Sequence, residues 1–211
     1  DSIGAVVFDG DISQADCEWD VDASHTVKSW TQMANYHGTV TIDTTFDDEF
    51  PEFVINGDVI IGGGKWTHKG NYANFGGTEK ATAKIDRKWR INVRTTGDLH
   101  LAAAASIDVT ARGWGYDTSK TTKAPCYGGW TDTMDWCTEP YGDYREPVDI
   151  GMGTVAQSDQ LSSRRAGIGG GSVKLTVAGI AELVGDVLAD GTVDSCARSS
   201  GTGGSVWITA K

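Results

Sequence analysis

Proline is scarce in this chain, at 4 of 211 residues, and so are cysteine (4) and histidine (4). Each shortage excludes something. Four cysteines cannot staple a chain of this length into a disulfide scaffold, and the spacing of Cys126 and Cys137 lacks the CxxC pairs of a structural zinc site. His25, His37, His68 and His100 show no metal-ligand spacing, and no GxSxG nucleophile motif occurs. No run of 18 apolar residues is present, so no segment reads as a membrane-spanning helix. The opening Asp1-Ser2-Ile3-Gly4 has neither the charged nor the apolar region of an export signal, which is expected to be already removed or to lie upstream. Basic residues are outnumbered, 18 against 29 acidic, and the net charge of −11 argues against nucleic acid or an anionic membrane as partner.

What is abundant is glycine, 28 of 211, about twice the usual 7%. With 39% hydrophobic residues remaining to build a core, the excess fits many tight turns. Two passages near the end repeat one pattern: Gly170-Gly171-Ser172-Val173-Lys174-Leu175-Thr176-Val177 and Gly203-Gly204-Ser205-Val206-Trp207-Ile208-Thr209. Each is a glycine turn followed by apolar/polar alternation, the signature of a half-buried strand. A second repeat runs through Gly57-Asp58-Val59-Ile60-Ile61, Gly97-Asp98-Leu99-His100-Leu101 and, more weakly, Gly179-Ile180-Ala181-Glu182-Leu183. If a coil takes about twenty residues, these copies lie two and four coils apart. The segment Trp19 to Ile42 fits a helical face or alternating strands, and reads as strand, turn, strand; strands at Phe53–Ile55, Val59–Ile61 and Trp66–His68 follow between glycine turns.

These repeats predict a single all-β domain over 1–211, a right-handed parallel β-helix, with residues 113–153 as one long aromatic, cysteine-containing loop excursion. An antiparallel β-sandwich of jelly-roll topology is the alternative. Ile91, Val93, Leu99, Leu101, Ile107, Val109, Val173, Leu175 and Val177 should point inward. Asn92, Arg94, His100, Asp108, Lys174 and Thr176 should point outward.

Several passages carry a resemblance. Phe8-Asp9-Gly10, Ala15-Asp16-Cys17-Glu18-Trp19 and Tyr36-His37-Gly38-Thr39-Val40-Thr41-Ile42 open the chain, and Ser106-Ile107-Asp108-Val109-Thr110-Ala111-Arg112-Gly113 continues it. Tyr141-Gly142, Pro147-Val148-Asp149-Ile150-Gly151 and the two glycine-serine strands follow. Together they resemble the glycine-rich parallel β-helix repeat modules of very large bacterial extracellular, adhesin-like surface proteins. The resemblance implies secretion and a structural, adhesive or glycan-contacting role, and it supplies no catalytic residues. The chain departs from the pattern at Cys126–Cys137, where a glycine-rich stretch is expected.

The eight tryptophans suggest sugar stacking, because pyranose C–H groups meet the negative face of an aromatic ring. Trp207 is the strand candidate, since it aligns with outward Lys174; Trp114, Trp130, Trp136, Tyr141 and Tyr144 are the loop candidates. These aromatics could equally form a satellite core that packs the excursion down. Trp30, Trp66 and Trp89 read as core or edge-covering residues. Asp9, Asp11 and Asp16 around Gly10 are candidate calcium ligands without the full EF-hand pattern, and no other cofactor is implied. Cys126 and Cys137 are expected to form a local disulfide, while Cys17 and Cys196 lie too far apart in a solenoid to bridge internally. The acidic residues Asp132, Asp135, Glu139 and Asp143 would suit a glycoside hydrolase, and outward Arg90, Arg94 and Lys174 a polysaccharide lyase. Both enzyme readings are secondary to a non-catalytic extracellular structural or adhesive module, or a carbohydrate-binding one. The strand Ser205–Ala210 is apolar and proline-free, and its edge is expected to pair with further repeats of a larger chain or with a neighbouring copy, building a filament.

Overall fold

The computed structural model describes residues 2–10, 16–21, 26–45, 51–71, 89–114, 124–127, 137–153, 167–193 and 200–211. About half of these residues are strand, with almost no helix. The strands are β1 (Ser2–Phe8), β2 (Cys17–Val21), β3 (Thr26–Gln32), β4 (Thr39–Thr45), β5 (Phe53–Ile55), β6 (Val59–Ile61), β7 (Gly64–Thr67) and β8 (Trp89–Thr95). Then come β9 (Leu99–Leu101), β10 (Ala105–Asp108), β11 (Ala124–Tyr127), β12 (Cys137–Tyr141), β13 (Ser172–Val177), β14 (Ala181–Leu183), β15 (Asp186–Leu188) and β16 (Ser205–Thr209).

Two parallel ladders organise them. In the first, β1 lies beside β3, and the seven residues of β3 pair through their first half with β5 and through their last half with β6. From there one line continues β5, β8, β13, β16 and the other β6, β9, β14. The second ladder runs β2, β4, β7, β10, β15. An antiparallel contact of Thr44 with Arg90 and Thr45 with Trp89 joins the ladders into one sheet of fourteen strands. The strands β11 and β12 form a separate parallel pair.

This overturns both expectations of class. The sheet is mostly parallel, and eight of its strands curl into a half-barrel, which fits a regular β-helix only in part. Its spacing is uneven: Ser2 pairs with Thr26, Val59 with Leu99, Leu99 with Ala181 and Ser172 with Ser205. The copies of the Gly-Asp repeat are therefore direct neighbours, not two and four coils apart, because loops of very different length leave and re-enter the sheet between rungs. The jelly roll fails on the parallel pairing, since that topology is antiparallel.

Alternation does what period two dictates. Columns of inward residues run Trp30–Val59–Leu99–Ala181 and Gln32–Ile61–Leu101–Leu183 in one ladder, and Cys17–Val40–Trp66–Ile107–Val187 in the other. All nine residues expected inward are buried. Of those expected outward, Arg94 is half exposed and pairs through Nε with Glu52 Oε2 at 3.0 Å. Asn92 is the exception: it is buried, and its Nδ2 donates to the Pro51 carbonyl at 3.0 Å, so it anchors the chain entering β5.

The interior is aromatic towards the first rungs. Trp30 sits 5.0 Å from Phe8, 5.2 Å from Trp19, 5.8 Å from Phe53 and 5.6 Å from Trp66 between ring centroids, mostly tilted or edge-on. Two indole N–H groups in this cluster need an acceptor in a dry core, and Gln32 supplies it. Its Oε1 accepts from Trp30 Nε1 at 3.1 Å and from Trp66 Nε1, while its Nε2 donates to the Gly63 carbonyl at 2.9 Å.

A different packing holds the end of the chain. Residues 113–114, 151–152, 169–170 and 201–204 lie side by side and bond in several directions. Gly113 N donates to Gly169 O, Gly151 N to Gly170 O, Gly169 N to Trp114 O and Gly170 N to Thr202 O, at 2.7–3.0 Å. A Cβ added at Gly170 or Gly204 would press into the backbone of Ala189 or Gly171, so these glycines permit the close approach. The excursion of 113–153 is thus partly a packed backbone layer at its beginning and end.

Candidate functional site

The expected ligand-contact residues do not gather. Trp114 is fully buried in the glycine layer, which removes it as a sugar platform. Trp130 and Trp136 lie outside the described residues, and so does the side chain of Tyr141. Tyr144 is 82% exposed, with the Arg145 guanidinium 4.8 Å from its ring centre. Trp207 is half-buried on β16 beside Lys174 of β13, as the aligned repeats require, and Lys174 Nζ lies 4.8 Å from its ring centre. The two of these that reach the surface, Tyr144 and Trp207, thus carry a cation beside the ring.

The calcium candidates also separate. Asp9 is exposed, Asp11 is outside the described residues, and Asp16 Oδ1 accepts the Thr39 amide at 2.8 Å, fastening β2 to β4. Among the described residues no group of three His, Cys, Asp or Glu side chains could hold a metal ion. The side chains of Cys126 and Cys137 are outside the described residues; their backbones lie on the paired strands β11 and β12, opposite Pro140 and Ala124. Cys17 is half-buried, which pushes its thiol pKa up, and Cys196 is not described. Of the acidic residues of the excursion, Asp143 caps the Arg145 amide at 2.8 Å; Asp132, Asp135 and the side chain of Glu139 are outside the described residues.

Buried polar groups instead staple the late strands to the early ones. His68 follows β7 and is wholly buried. Its Nδ1–H donates to the Lys69 carbonyl at 2.7 Å, and its Nε2 accepts the Ser172 amide of β13 at 3.1 Å. This arrangement requires the neutral ring, and burial lowers its pKa to about 3. Ser172 Oγ donates to the Val148 carbonyl at 2.9 Å, and Ser205 Oγ donates to that of Asp149. The Tyr127 hydroxyl meets Ser205 Oγ, with burial raising its pKa.

What does gather is apolar surface on the last rung. Of the eleven large hydrophobic side chains exposed among the described residues, six lie between 180 and 206: Ile180 (64%), Leu183, Val184 (59%), Leu188, Val193 and Val206. Leu183 is instructive. It ends the column whose members Ile61 and Leu101 are fully buried, yet it is 38% exposed. Among the described residues no strand pairs with the far side of β14 or β15. The corner beside them has a matching feature. Asp58 Oδ1 accepts the Asp98 amide at 2.9 Å, and Asp98 Oδ1 accepts the Ile180 amide at 2.8 Å. At the third turn an isoleucine replaces the aspartate, ending the carboxylate ladder. The weakness of the third Gly-Asp-like repeat is the sequence signal for this rim. Reading it as a mere imperfection of the repeat hides the site.

No protein-family model, curated protein or solved structure matches the chain.

Proposed function

We propose that the chain is a non-catalytic structural or adhesive module of the extracellular surface, a building block that pairs its strand edge with further strands in a larger assembly. The observation that carries this reading is the apolar rim of β14 and β15, which no strand among the described residues covers, because an exposed strand edge with apolar side chains templates further pairing. The surface location is supported by the resemblance noted above and by the acidic, glycine-rich composition. The test is light scattering and apolar-dye binding across protein concentration and salt. The expected outcome is dye binding, with assemblies growing as salt screens the −11 charge, and both falling in Ile180→Lys/Val184→Lys. A protein that binds no dye and stays monomeric at every salt concentration overturns the reading.

A second reading is favoured by the cation beside the two candidate aromatics that reach the surface among the described residues, Lys174 at Trp207 and Arg145 at Tyr144. It takes the module as a binder of acidic saccharides, with the ring stacking on the sugar and the cation meeting its carboxylate. Affinity electrophoresis in polygalacturonate against a neutral glucan decides it. Retardation in the acidic gel that is lost in Trp207→Ala supports it, and equal mobility in both gels removes it.

A further inference from the structure

Three neighbouring strands carry no acidic residue in a chain that has 29 of them. The sequences of β8, β13 and β16 hold neither Asp nor Glu. These strands lie side by side in that order, and their register aligns the outward residues in two columns. One column runs Asn92, Lys174, Trp207, and the other runs Val54 of β5, Arg94, Thr176, Thr209. Glu52, just ahead of β5, brings a carboxylate to this face. Its Oε2 lies 3.0 Å from Arg94 Nε, and the side chains of Arg94 and Glu52 are 51% and 31% exposed. Pro51, beside it, accepts the Asn92 side-chain bond, so the chain entering β5 forms one margin of the face. Trp207 of β16 stands on the other side of Lys174.

The two exposed cations of this face diverge. Arg94 stands one strand across and two residues along from Lys174, about 8 Å between Cα positions. Its side chain reaches diagonally back to Glu52, whereas Lys174 Nζ lies 4.8 Å from the centre of the Trp207 ring on the next strand. Cations arranged in this way meet two acidic groups rather than one. We propose that this face binds a linear oligosaccharide carrying carboxylates on at least two of its sugars, one held by Lys174 beside the Trp207 ring and the other by Arg94 in place of Glu52. The half-buried Thr176 lies in the Arg94 column next to Lys174, where its hydroxyl serves the sugar hydroxyls between the two charges. Arg94 suits the exchange. Its planar fork matches a carboxylate, and an exposed ion pair such as the one with Glu52 is worth about 5-fold at most, so an incoming acid displaces it. This inference rests on the second reading above and extends it from one ring and one cation to a site whose second cation, Arg94, selects for charge repeated along the ligand.

The probe is tetragalacturonate, titrated into the intact chain by calorimetry, with its fully methyl-esterified form as the uncharged twin and the galacturonate monomer as the single-acid control. The expected result is saturable binding of the tetramer, with the ester and the monomer each at least about 10-fold weaker, since each forfeits a charge-assisted contact. Arg94→Gln should weaken the tetramer at least about 5-fold and flatten the salt dependence of its binding, because one of the two charge contacts is gone. Glu52→Gln removes the competitor for Arg94 and should tighten the tetramer about 2- to 5-fold, the span of an exposed ion pair. A gain of affinity does not arise from misfolding. Tetramer binding that Trp207→Ala abolishes, but that Arg94→Gln and Glu52→Gln leave unchanged, keeps the second reading and overturns the two-cation site. Equal affinity for the acid and its ester overturns the site as well. Absence of binding to every galacturonate probe overturns both. Tighter binding of a sulfated tetrasaccharide than of tetragalacturonate transfers the site to sulfate esters and overturns the carboxylate assignment.

Discussion

The two ends of the sheet are finished in different chemistry. Towards the first rungs Phe8, Trp19, Trp30, Phe53 and Trp66 interlock, and Gln32 satisfies the two indole N–H groups they bury. Towards the last rung the inward columns end in Ala181, Leu183 and Val187, short side chains that are half-buried or exposed. Large rings keep an interior dry because each covers much area and packs edge-on against its neighbours. Short aliphatic side chains cover little, so the same columns that are dry at Ile61 and Leu101 meet water at Leu183. Among the described residues, one strand pattern thus gives a dry aromatic interior towards the first rungs and an apolar rim that meets water at β14 and β15.

Breaking the aromatic end should have the largest effect. Trp30→Ala removes the ring at the centre of the cluster and should cost about 3–5 kcal/mol in denaturant unfolding. Gln32→Leu keeps the volume but leaves the indoles of Trp30 and Trp66 without their acceptor, at roughly 1–3 kcal/mol for each orphaned donor. The cost should appear in stability with the near-ultraviolet spectrum of the remaining fold retained.

Acid should separate the ends. His68 stays neutral in the fold, with its pKa lowered to about 3 against 6.5 unfolded. Between those values the unfolded chain binds a proton that the native chain does not, so stability falls as pH falls from 6.5 towards 3, by up to about 1.4 kcal/mol per pH unit. Because His68 Nε2 holds the Ser172 amide, β13 and the strands after it should lose exchange protection before β3 and β6 do. Tryptophan fluorescence of the aromatic end and hydrogen exchange at 172–177, followed through the same titration, check the order. His68→Gln should flatten the pH dependence. The smallest effect belongs to the rim of β14: Leu183→Ala should cost below about 1 kcal/mol, because a side chain already 38% exposed loses little on truncation.

How much of this could be read from residues alone follows from what alternation encodes. The glycine-serine repeat paired Lys174 with Trp207, and the Gly-Asp repeat aligned Val59, Leu99 and the position of Ala181; these are the registers of the sheet. Inward positions were legible because burial on one strand face imposes period two. What lies over the outer face leaves no such trace, so Asn92 and Trp114 were misplaced: one is buried under the Pro51 segment, the other inside the glycine layer. Glycine in 113–114, 151, 169–171 and 201–204 reads locally as turn or loop, while its role is close contact between segments distant in sequence. The evenness expected of a β-helix failed for a related reason, since alternation marks strands but not the length of chain that leaves the sheet between them. At the candidate site, Trp207 was legible and the rim was not, because Ile180 and Leu183 are ordinary apolar residues until their columns are followed to the last strand.

The most direct test of the central claim, that the aromatic interior is dry while the rim of β14 and β15 meets water among the described residues, is native-state hydrogen exchange resolved along the two lines of the sheet. Protection should be highest in β3, β5 and β6 around the aromatic cluster and should fall to near-local opening in β14 and β15. Equal protection at 181–188 and at 26–32 in the isolated monomer would contradict it, because the rim would then be as well covered as the aromatic interior.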